Sequence, residues 1–282
     1  MEFIFYNNCE KFWNENKKLI LEKEWLNNLM VSNSLYGIEN GIDENWILAK
    51  IINNGKTELI LLQRFPWKLL LYSPTNNVSE ELYKFAAEEI FKINKNLVGV
   101  NSENKIANIF SKYYCELSGQ TAELHLPMRI LVLEKLAENK CRKDIIFRKP
   151  EEKDKNILLK FFRDFNIEAL GESPSDDEII EKINKFLGKN YFILEKNGEI
   201  VSQVLSNKQL VNGMSVNGVY TPPEERGKGY AYTVVYLLSK YLLENGAEYC
   251  VLFTDDTNPI SNHVYEKIGY ERRADVCEID FI

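Results

Sequence analysis

Apolar positions along the first half of the chain recur every three or four residues in some stretches and every second residue in others. The first spacing predicts amphipathic helices and the second predicts half-buried strands. Turn signals rich in Asn, Gly and Pro separate the stretches. In chain order the pattern predicts a helix at 11–29, strands at 46–52, 58–63 and 67–72, a helix at 79–92, a strand at 97–100, a helix at 103–117 and an extended segment at 122–133.

The second half alternates more clearly, after a charged stretch at 134–143 that we interpret as a linker. Its elements are predicted as a strand at 144–149, helices at 154–166 and 176–186, strands at 191–195, 200–205 and 214–221, a helix from Tyr230, a strand at 249–254, a helix from Pro259 and a strand at 276–281. The chain is therefore predicted to be a mixed α/β (α+β) protein with two tandem domains, residues 1–135 and 144–282.

Composition and charge narrow the class of protein. Among 282 residues, 45% are hydrophobic and 27% are charged, which is typical of a folded protein. The net charge of −7 disfavours nucleic acid and anionic membrane surfaces as partners. The sequence has no signal peptide pattern and no apolar run of the roughly 18 residues that span a membrane. Five widely spaced cysteines without a CxxC pair indicate reduced thiols, so we expect a cytoplasmic protein.

The segment 219–231 carries the most informative pattern. A strand ends at two prolines, and Gly227 and Gly229 then allow a tight turn before an amphipathic helix. Backbone N–H groups in such a turn point into one concavity, and the helix N-terminus adds partial positive charge. Arg226 and Lys228 contribute fixed charge. This pattern predicts a pyrophosphate site, although a tight strand-to-helix connection also uses glycines.

A second segment, 258–270, predicts a short helix. Asn258 suits its N-cap, a proline follows at the first helical position, and Gly269 suits its end. Helical spacing places Ser261 and Tyr265 on one face, one turn apart. Either this face contributes to a site or Tyr265 packs in the core.

Together these two segments resemble the GNAT acetyltransferase superfamily, and the resemblance covers about residues 144–282. Arg226, Gly229 and Ala231 match its Q/R-x-x-G-x-G/A signature. The later segment is similar to the family's N-x-x-A/S-x-x-x-Y-E-K-x-G-F/Y helix, with Asn258, Ser261, Tyr265, Glu266, Lys267, Gly269 and Tyr270 in register.

The resemblance implies a GNAT acyl-CoA N-acyltransferase fold and acetyl-CoA (coenzyme A) as the cofactor. In that fold the strand that ends at Thr221 splays from the strand at 249–254, and backbone groups of Val219 and Thr221 pair with the pantetheine arm. Asn217 and Gly218 suit a bulge in that strand. The implied cofactor-binding residues are Val219, Tyr220, Thr221, Arg226, Gly227, Lys228, Gly229, Tyr230, Ala231, Asn258, Ser261 and Tyr265.

For catalysis, the resemblance makes Tyr265 the acid that protonates the departing thiolate, since a phenol stays protonated at pH 7. The base is less clear, because the strand 214–221 contains no carboxylate. Glu168 and Glu172, in a predicted loop, are candidates either for the base or for attracting a cationic amine, unless they are merely solvated. His125 and His263 have no metal-ligand spacing, so no metal is predicted.

The order of elements in the first half fits a second, degenerate copy of the same fold. Its turn at 73–79 has no glycine and no basic residue, so we expect no cofactor there and a role as a wall on the acceptor side. The leading hypothesis is an N-acetyltransferase for a primary amine of a small molecule or peptide, acting as a monomer or homodimer. The alternatives are a non-catalytic acyl-CoA sensor and an enzyme that uses a longer acyl donor or a hydroxyl acceptor.

Overall fold

Residues 1–206 and 210–282 are described by a computed structural model, in which two units can be distinguished. The first unit comprises residues 1–130, 255–257 and 273–282, and the second comprises residues 131–254 and 258–272. This division differs from the predicted domains at the end of the chain, because residues 273–282 are part of the first unit.

Most elements lie where the sequence pattern predicts them, but the helix predicted at 11–29 ends at Glu22 and a separate helix begins at Asn28. In chain order they are β1 (Glu2–Phe5), α1 (Cys9–Glu22), α2 (Asn28–Asn40), β2 (Ile47–Asn53), β3 (Lys56–Gln63), β4 (Leu69–Tyr72), α3 (Glu80–Ile93), β5 (Gly99–Glu103), α4 (Asn104–Ser118), β6 (Ala122–Leu133), β7 (Ile146–Arg148), α5 (Lys155–Phe165), α6 (Asp176–Phe186), β8 (Asn190–Lys196), β9 (Glu199–Ser206), β10 (Gly213–Ser215), β11 (Asn217–Tyr220), α7 (Tyr230–Glu244), β12 (Tyr249–Asp255), α8 (Pro259–Ile268) and β13 (Glu271–Phe281). Both halves repeat one order: strand, two helices, a group of strands, helix, strand, helix, strand.

In the first unit, the strands follow the order β1, β2, β3, β4, β5 and β13, and only the pair β4 and β5 is parallel. The two strands predicted at 46–52 and 58–63 form an antiparallel hairpin, β2 and β3, which turns at Asn54 and Gly55 with positive φ angles of 49° and 76°. The last strand, β13, pairs with β5, and it buries Cys277, Ile279 and Phe281 in the core formed with α3 and α4. This pairing explains why residues 273–282 belong to the first unit.

Two elements of the first unit were not predicted, namely β1 and α2. The helix α2 buries Ser34 and Gly37 together with larger apolar residues, so its buried face lacks the continuous apolar stripe that marks a helix in a sequence. Small residues are needed there because a Cβ atom on Gly37 would lie 2.8 Å from the sulfur of Cys9 in α1. Close packing of α1 and α2 therefore requires small residues in α2, and these residues interrupt the apolar spacing that would predict the helix.

The second unit has a four-stranded sheet in the order β11, β9, β8 and β7, buried on both faces. Tyr191 and Ile193 of β8 pack with α5 and α6, whereas Phe192 and Leu194 face the core that contains α7. Side chains that alternate between two buried faces explain the continuous apolar run of β8. No helix among the described residues is long and apolar enough to cross a membrane.

The strand predicted at 214–221 is instead two strands with different partners. β10 pairs with β12 in parallel, and the N–H of Val216 still donates to the carbonyl of Val251 at 2.8 Å. β11 pairs with β9 instead, so β10 and β11 belong to different sheets. A shift of register between Asn217 and Tyr220, with Gly218 at a φ of +58°, confirms the predicted bulge. An opening between β11 and β12 follows from this change of partner.

Candidate functional site

The opening in the second unit is bordered by β11, an edge strand that has β9 on one side only. The carbonyl of Tyr220 points toward β9, where it accepts a hydrogen bond from the Ser202 hydroxyl at 3.0 Å. Alternation along a strand directs the backbone groups of Val219 and Thr221 to the other edge. The Thr221 carbonyl accepts from the Arg226 Nε at 2.9 Å, so the edge of β11 opposite β9 leads directly into the turn that carries Arg226.

The turn between β11 and α7 has the backbone conformation that its glycines predict. Gly227 and Gly229 have φ angles of +74° and +81°, which only glycine adopts readily, and no atom lies within 4 Å of a Cβ atom built on either residue. Among the residues that the structure describes, none accepts a hydrogen bond from the N–H of Gly227, Lys228 or Gly229. The first N–H groups of α7 also lack partners within the helix. The turn thus presents a row of donors that suits an anion.

Both cations predicted for this turn form ion pairs. The Arg226 guanidinium contacts the Glu168 carboxylate, and the Lys228 ammonium lies 3.0 Å from Glu225. The side chains of Arg226 and Lys228 are 49% and 48% exposed. Exposed ion pairs contribute little stability, about 0 to 1 kcal/mol, so an incoming anion can replace either carboxylate at low cost.

Glu168 lies in a short π-helical segment, Asn166–Leu170, that continues α5. Besides Arg226, its carboxylate accepts from the Tyr220 hydroxyl at 3.1 Å, and Asp164 lies 3.4 Å from the same hydroxyl. Burial, followed by the charges of Asp164 and Glu168, raises the pKa of Tyr220. The structure therefore places Glu168 beside the turn, together with an acidic residue, Asp164, that the sequence analysis did not select.

The other candidate base, Glu172, is exposed, and its backbone N–H donates to the Asn166 carbonyl at 3.0 Å. Two of the residues predicted to bind the cofactor have side chains that pack within the protein. The Tyr220 ring packs edge to face on Phe161 at 5.4 Å, and the Tyr230 side chain is buried in the core beneath α7.

The helix α8 holds the remaining predicted residues. Asn258 caps it as predicted, and its Oδ1 accepts from the N–H of Ser261 at 3.1 Å. Tyr265 lies one turn after Ser261 and is half-buried, and burial raises the pKa of its phenol to about 12. No described residue forms a hydrogen bond with the Tyr265 hydroxyl. This hydroxyl is therefore protonated at pH 7 and available to a ligand.

The ring of Tyr265 is held by Tyr270. The two rings meet edge to face with centroids 6.1 Å apart, and the Tyr270 N–H donates to the Tyr265 carbonyl at 3.1 Å. Tyr270 is itself fixed by a 2.8 Å hydrogen bond between its buried hydroxyl and Ser239 of α7. The sequence analysis placed Tyr270 in the motif but did not identify this support.

A cavity of about 620 Å³ lies elsewhere in the second unit, at the C-terminal end of α7. Tyr241, Leu242 and Asn245 of the last turn line it, together with residues near the start of β8 and β10. None of the predicted site residues lines this cavity. The candidate site is an open edge and a turn at the other end of α7.

Comparison with known proteins agrees with this geometry. Residues 156–270 match the family model described as "Acetyltransferase (GNAT) family". This range includes the turn, α7 and the whole of the second motif, 258–270. No curated protein matches the sequence.

Solved structures match over the whole chain at low sequence identity. An acetyltransferase from the GNAT family of Colwellia psychrerythraea is 13% identical with a TM-score of 0.62, and 100% of both chains is covered. A GCN5-related N-acetyltransferase from Sphaerobacter thermophilus is 12% identical with a TM-score of 0.65, covering 99% of this chain and 95% of that one. A tandem GNAT protein from the clavulanic acid biosynthesis pathway is 10% identical with a TM-score of 0.57, covering 100% and 98%. These matches show the fold, including its tandem arrangement.

Proposed function

Since residues 156–270 form a domain of the acetyltransferase (GNAT) family, we propose that this domain transfers an acetyl group from acetyl-CoA to a primary amine of a small molecule or peptide. The observation that carries the proposal is the turn at 226–231. Its N–H donors at residues 227–229 have no acceptor among the described residues, and it follows directly on an edge strand. Such a turn suits a diphosphate, and such an edge suits an amide-containing arm.

The residues present fit the cofactor on structural grounds. The two glycines leave the turn open on the side where a Cβ atom would project, and two half-exposed cations lie beside it. Because the Tyr220 carbonyl faces β9, alternation along the backbone directs the groups of Val219, and of Thr221 just after β11, to the edge away from β9. We assign Arg226, Lys228 and the N–H groups of the turn to the phosphates, and the backbone of Val219 and Thr221 to the pantetheine arm.

When bound, acetyl-CoA supplies a thioester whose carbonyl carbon takes the amine nitrogen, so that a C–N bond forms as the C–S bond breaks. We assign Tyr265 the proton that the departing sulfur receives. Two observations support this role: the Tyr265 hydroxyl has no described partner, and its raised pKa of about 12 keeps the proton on the oxygen at pH 7. General acids of this kind contribute about 10²- to 10⁴-fold to the rate.

For the amine, Glu168 is the stronger of the two candidate carboxylates. It lies next to Asp164 and Tyr220, whereas Glu172 is exposed. An anion that binds Arg226 would free the Glu168 carboxylate from its cation, and this carboxylate would then attract a protonated amine or accept its proton. We also propose a cytoplasmic location, which the wide spacing of the five cysteines in the sequence supports.

The test is the release of CoA thiol from acetyl-CoA in the presence of amino acids, polyamines, aminoglycosides or peptide N-termini, each assayed separately. Release that requires one class of amine and disappears in the double variant Arg226→Glu, Gly229→Asp would support the proposal and identify the acceptor. The double variant removes one cation and adds two carboxylates at the turn.

A different outcome would favour the alternative, a non-catalytic acyl-CoA sensor. In that case no amine would release thiol, although acetyl-CoA would bind tightly and the double variant would abolish binding. Release from longer acyl-CoA donors alone, or with hydroxyl acceptors alone, would replace the proposed substrates and keep the reaction class. Absence of both thiol release and CoA binding would refute the proposed function.

A further inference from the structure

The charged segment 134–143, interpreted from sequence as a linker, is attached to the first turns of α7. The hydroxyl of Tyr236 donates to the Ala137 carbonyl at 3.3 Å, and that of Tyr232 donates to the Glu138 carbonyl at 3.2 Å. Next to Tyr232 in α7, the Thr233 hydroxyl accepts from the backbone N–H of Arg142 at 3.2 Å. We call residues 137–142 the strap, because these three bonds tie it to the first two turns of α7.

The strap ends at the phosphate-binding turn, through the side chain of Arg142. Its Nη1 donates to the carbonyl of Lys228 at 3.1 Å, and its guanidinium lies 5.2 Å from the centre of the Tyr230 ring. Asp144 holds the other side of the guanidinium in a two-pronged contact, with Nε to Oδ1 at 2.9 Å and Nη2 to Oδ2 at 2.5 Å. A guanidinium gripped in this way donates in a fixed direction.

The direction of the Lys228 carbonyl determines the direction of the next N–H. In a trans peptide unit the C=O and the following N–H point to opposite sides. When Arg142 holds the Lys228 carbonyl outside the turn, the N–H of Gly229 must point to the other side. That N–H is one of the donors without an acceptor among the described residues. The glycine alone does not fix this orientation, because Gly229 is free to adopt many backbone conformations.

We propose that Arg142 is a positioning residue for the phosphate-binding turn: by holding the Lys228 carbonyl it aims the Gly229 N–H at the diphosphate of the cofactor. The proposal rests on the proposed function, since it takes the anion at this turn to be the diphosphate of CoA. Arg142 acts through the backbone. Its guanidinium is already occupied by Asp144 and Lys228 and is not assigned to the phosphates.

The experiment measures the dissociation constants of CoA and of pantetheine, which lacks the diphosphate, by NMR titration of wild-type protein and the Arg142→Met variant. We expect the dissociation constant for CoA to rise about tenfold or more and that for pantetheine to change less than twofold, since loss of a charge-assisted hydrogen bond is worth roughly one to two powers of ten. Arg142→Lys retains a donor but cannot form the two-pronged contact with Asp144. We expect its dissociation constant for CoA to lie between those of wild type and Arg142→Met.

The matched control is Lys196→Met. Lys196 also lies near Tyr230, at 5.9 Å from the centre of its ring, and pairs with Asp144 at 3.1 Å, but the hydrogen bond to the Lys228 carbonyl comes from Arg142. It therefore tests the loss of one nearby positive charge, and we expect less than a threefold change for CoA.

Three results would overturn the proposal: an unchanged affinity of Arg142→Met for CoA, an equal loss for CoA and pantetheine, or an equal loss in the Lys196→Met control. Failure of wild-type protein to bind CoA would instead refute the proposed function, and with it the assignment of the anion. The two failures are therefore distinguishable.

Discussion

Both halves of the chain contain a strand–turn–helix element, but the two turns differ in whether their N–H groups have hydrogen-bond acceptors. In the first unit the turn between β4 and α3 satisfies its own donors: the Asn77 N–H bonds to the Ser73 hydroxyl and the Ser79 N–H bonds to the Asn77 side chain, both at 2.8 Å. The Glu58 carboxylate also contacts this turn, at 3.1 Å from Asn77. In the second unit, no residue that the structure describes accepts from the N–H groups at 227–229 of the turn before α7, and cations lie beside this turn. The same topology therefore gives two different turns, and only the turn before α7 combines N–H groups without described acceptors and neighbouring cations.

The strands that precede the two turns differ in the number of strands that they pair with. In the first unit β4 pairs with β3 on one side and with β5 on the other, and the Ser102 hydroxyl of β5 donates to the Leu71 carbonyl at 2.7 Å. In the second unit the corresponding strand divides into β10 and β11, which have different partners. An edge available for a ligand thus exists in the second unit, next to the turn with unsatisfied donors.

The largest difference between the two turns is expected when a carboxylate is introduced into each of them. We expect Gly229→Asp to weaken acetyl-CoA binding about 100-fold or more, because a side chain at a φ of +81° is strained and its charge repels phosphate. The matched control is Asn76→Asp in the first-unit turn, where φ is already +53° and the side chain accepts from Lys23 at 3.0 Å. That variant should bind acetyl-CoA like wild type. Calorimetric titration measures both, and equal affinities would show that the turn before α7 does not bind the phosphates.

The turn was predictable from sequence because its signals are local. Gly227, Gly229 and the proline pair set the backbone without help from distant residues, as do Asn258 and Gly269 at the ends of α8. The division of the predicted strand 214–221 depends on which strands lie beside it, so no periodicity within it marks the break at Val216. Pairing with distant strands decides such features, and a single sequence does not record it.

The side-chain contacts of the site were the least predictable part. Glu168 was selected as a loop carboxylate, but its pairing with Arg226 arises from the π-helical continuation of α5. Arg142 was assigned to a linker, since charge and position in the chain gave no sign of its bond to Lys228. Both contacts join residues far apart in sequence, and only the folded unit brings them together.

The helices that precede the last strand of each half, α4 and α8, differ in the residue that lies seven positions after the N-cap, and this difference can be tested next. Seven residues after the N-cap, α8 has Tyr265 and α4 has Phe110, which is fully buried. We expect Tyr265→Phe to lower kcat more than tenfold while the dissociation constant of acetyl-CoA stays within twofold, because the change removes only the proton donor. Tyr241→Phe, in contact with Phe192 in the core, is the control and should retain kcat. Unchanged kcat in Tyr265→Phe would remove the phenol from the mechanism.

A smaller effect is expected from the carboxylates beside the turns. Glu168→Gln removes the anion that pairs with Arg226, and we expect acetyl-CoA to bind roughly two- to tenfold more tightly, since its phosphates no longer compete with a carboxylate for the guanidinium. Glu224→Gln, next to the turn but paired with Lys160 at 4.0 Å, is the control and should change the affinity less. Calorimetric titration with steady-state kinetics decides the role of Glu168. A loss of kcat at unchanged affinity would make Glu168 the base.

The smallest effect concerns the hydroxyl that Tyr265 has and Phe110 lacks. An ordinary tyrosine with a pKa near 10 would be half ionised at pH 10, but burial raises the pKa of Tyr265 to about 12, which leaves about 1% ionised at that pH. As pH rises, ionisation would remove the proton donor, so a raised pKa extends activity to higher pH. The ratio of kcat for wild type to kcat for Tyr265→Phe cancels the titration of the amine and of the other tyrosines. We expect this ratio to change less than twofold between pH 8 and pH 10. A fall of this ratio with a midpoint near pH 10 would mean that the phenol of Tyr265 titrates as an exposed tyrosine does. Burial would then not keep the phenol protonated at high pH.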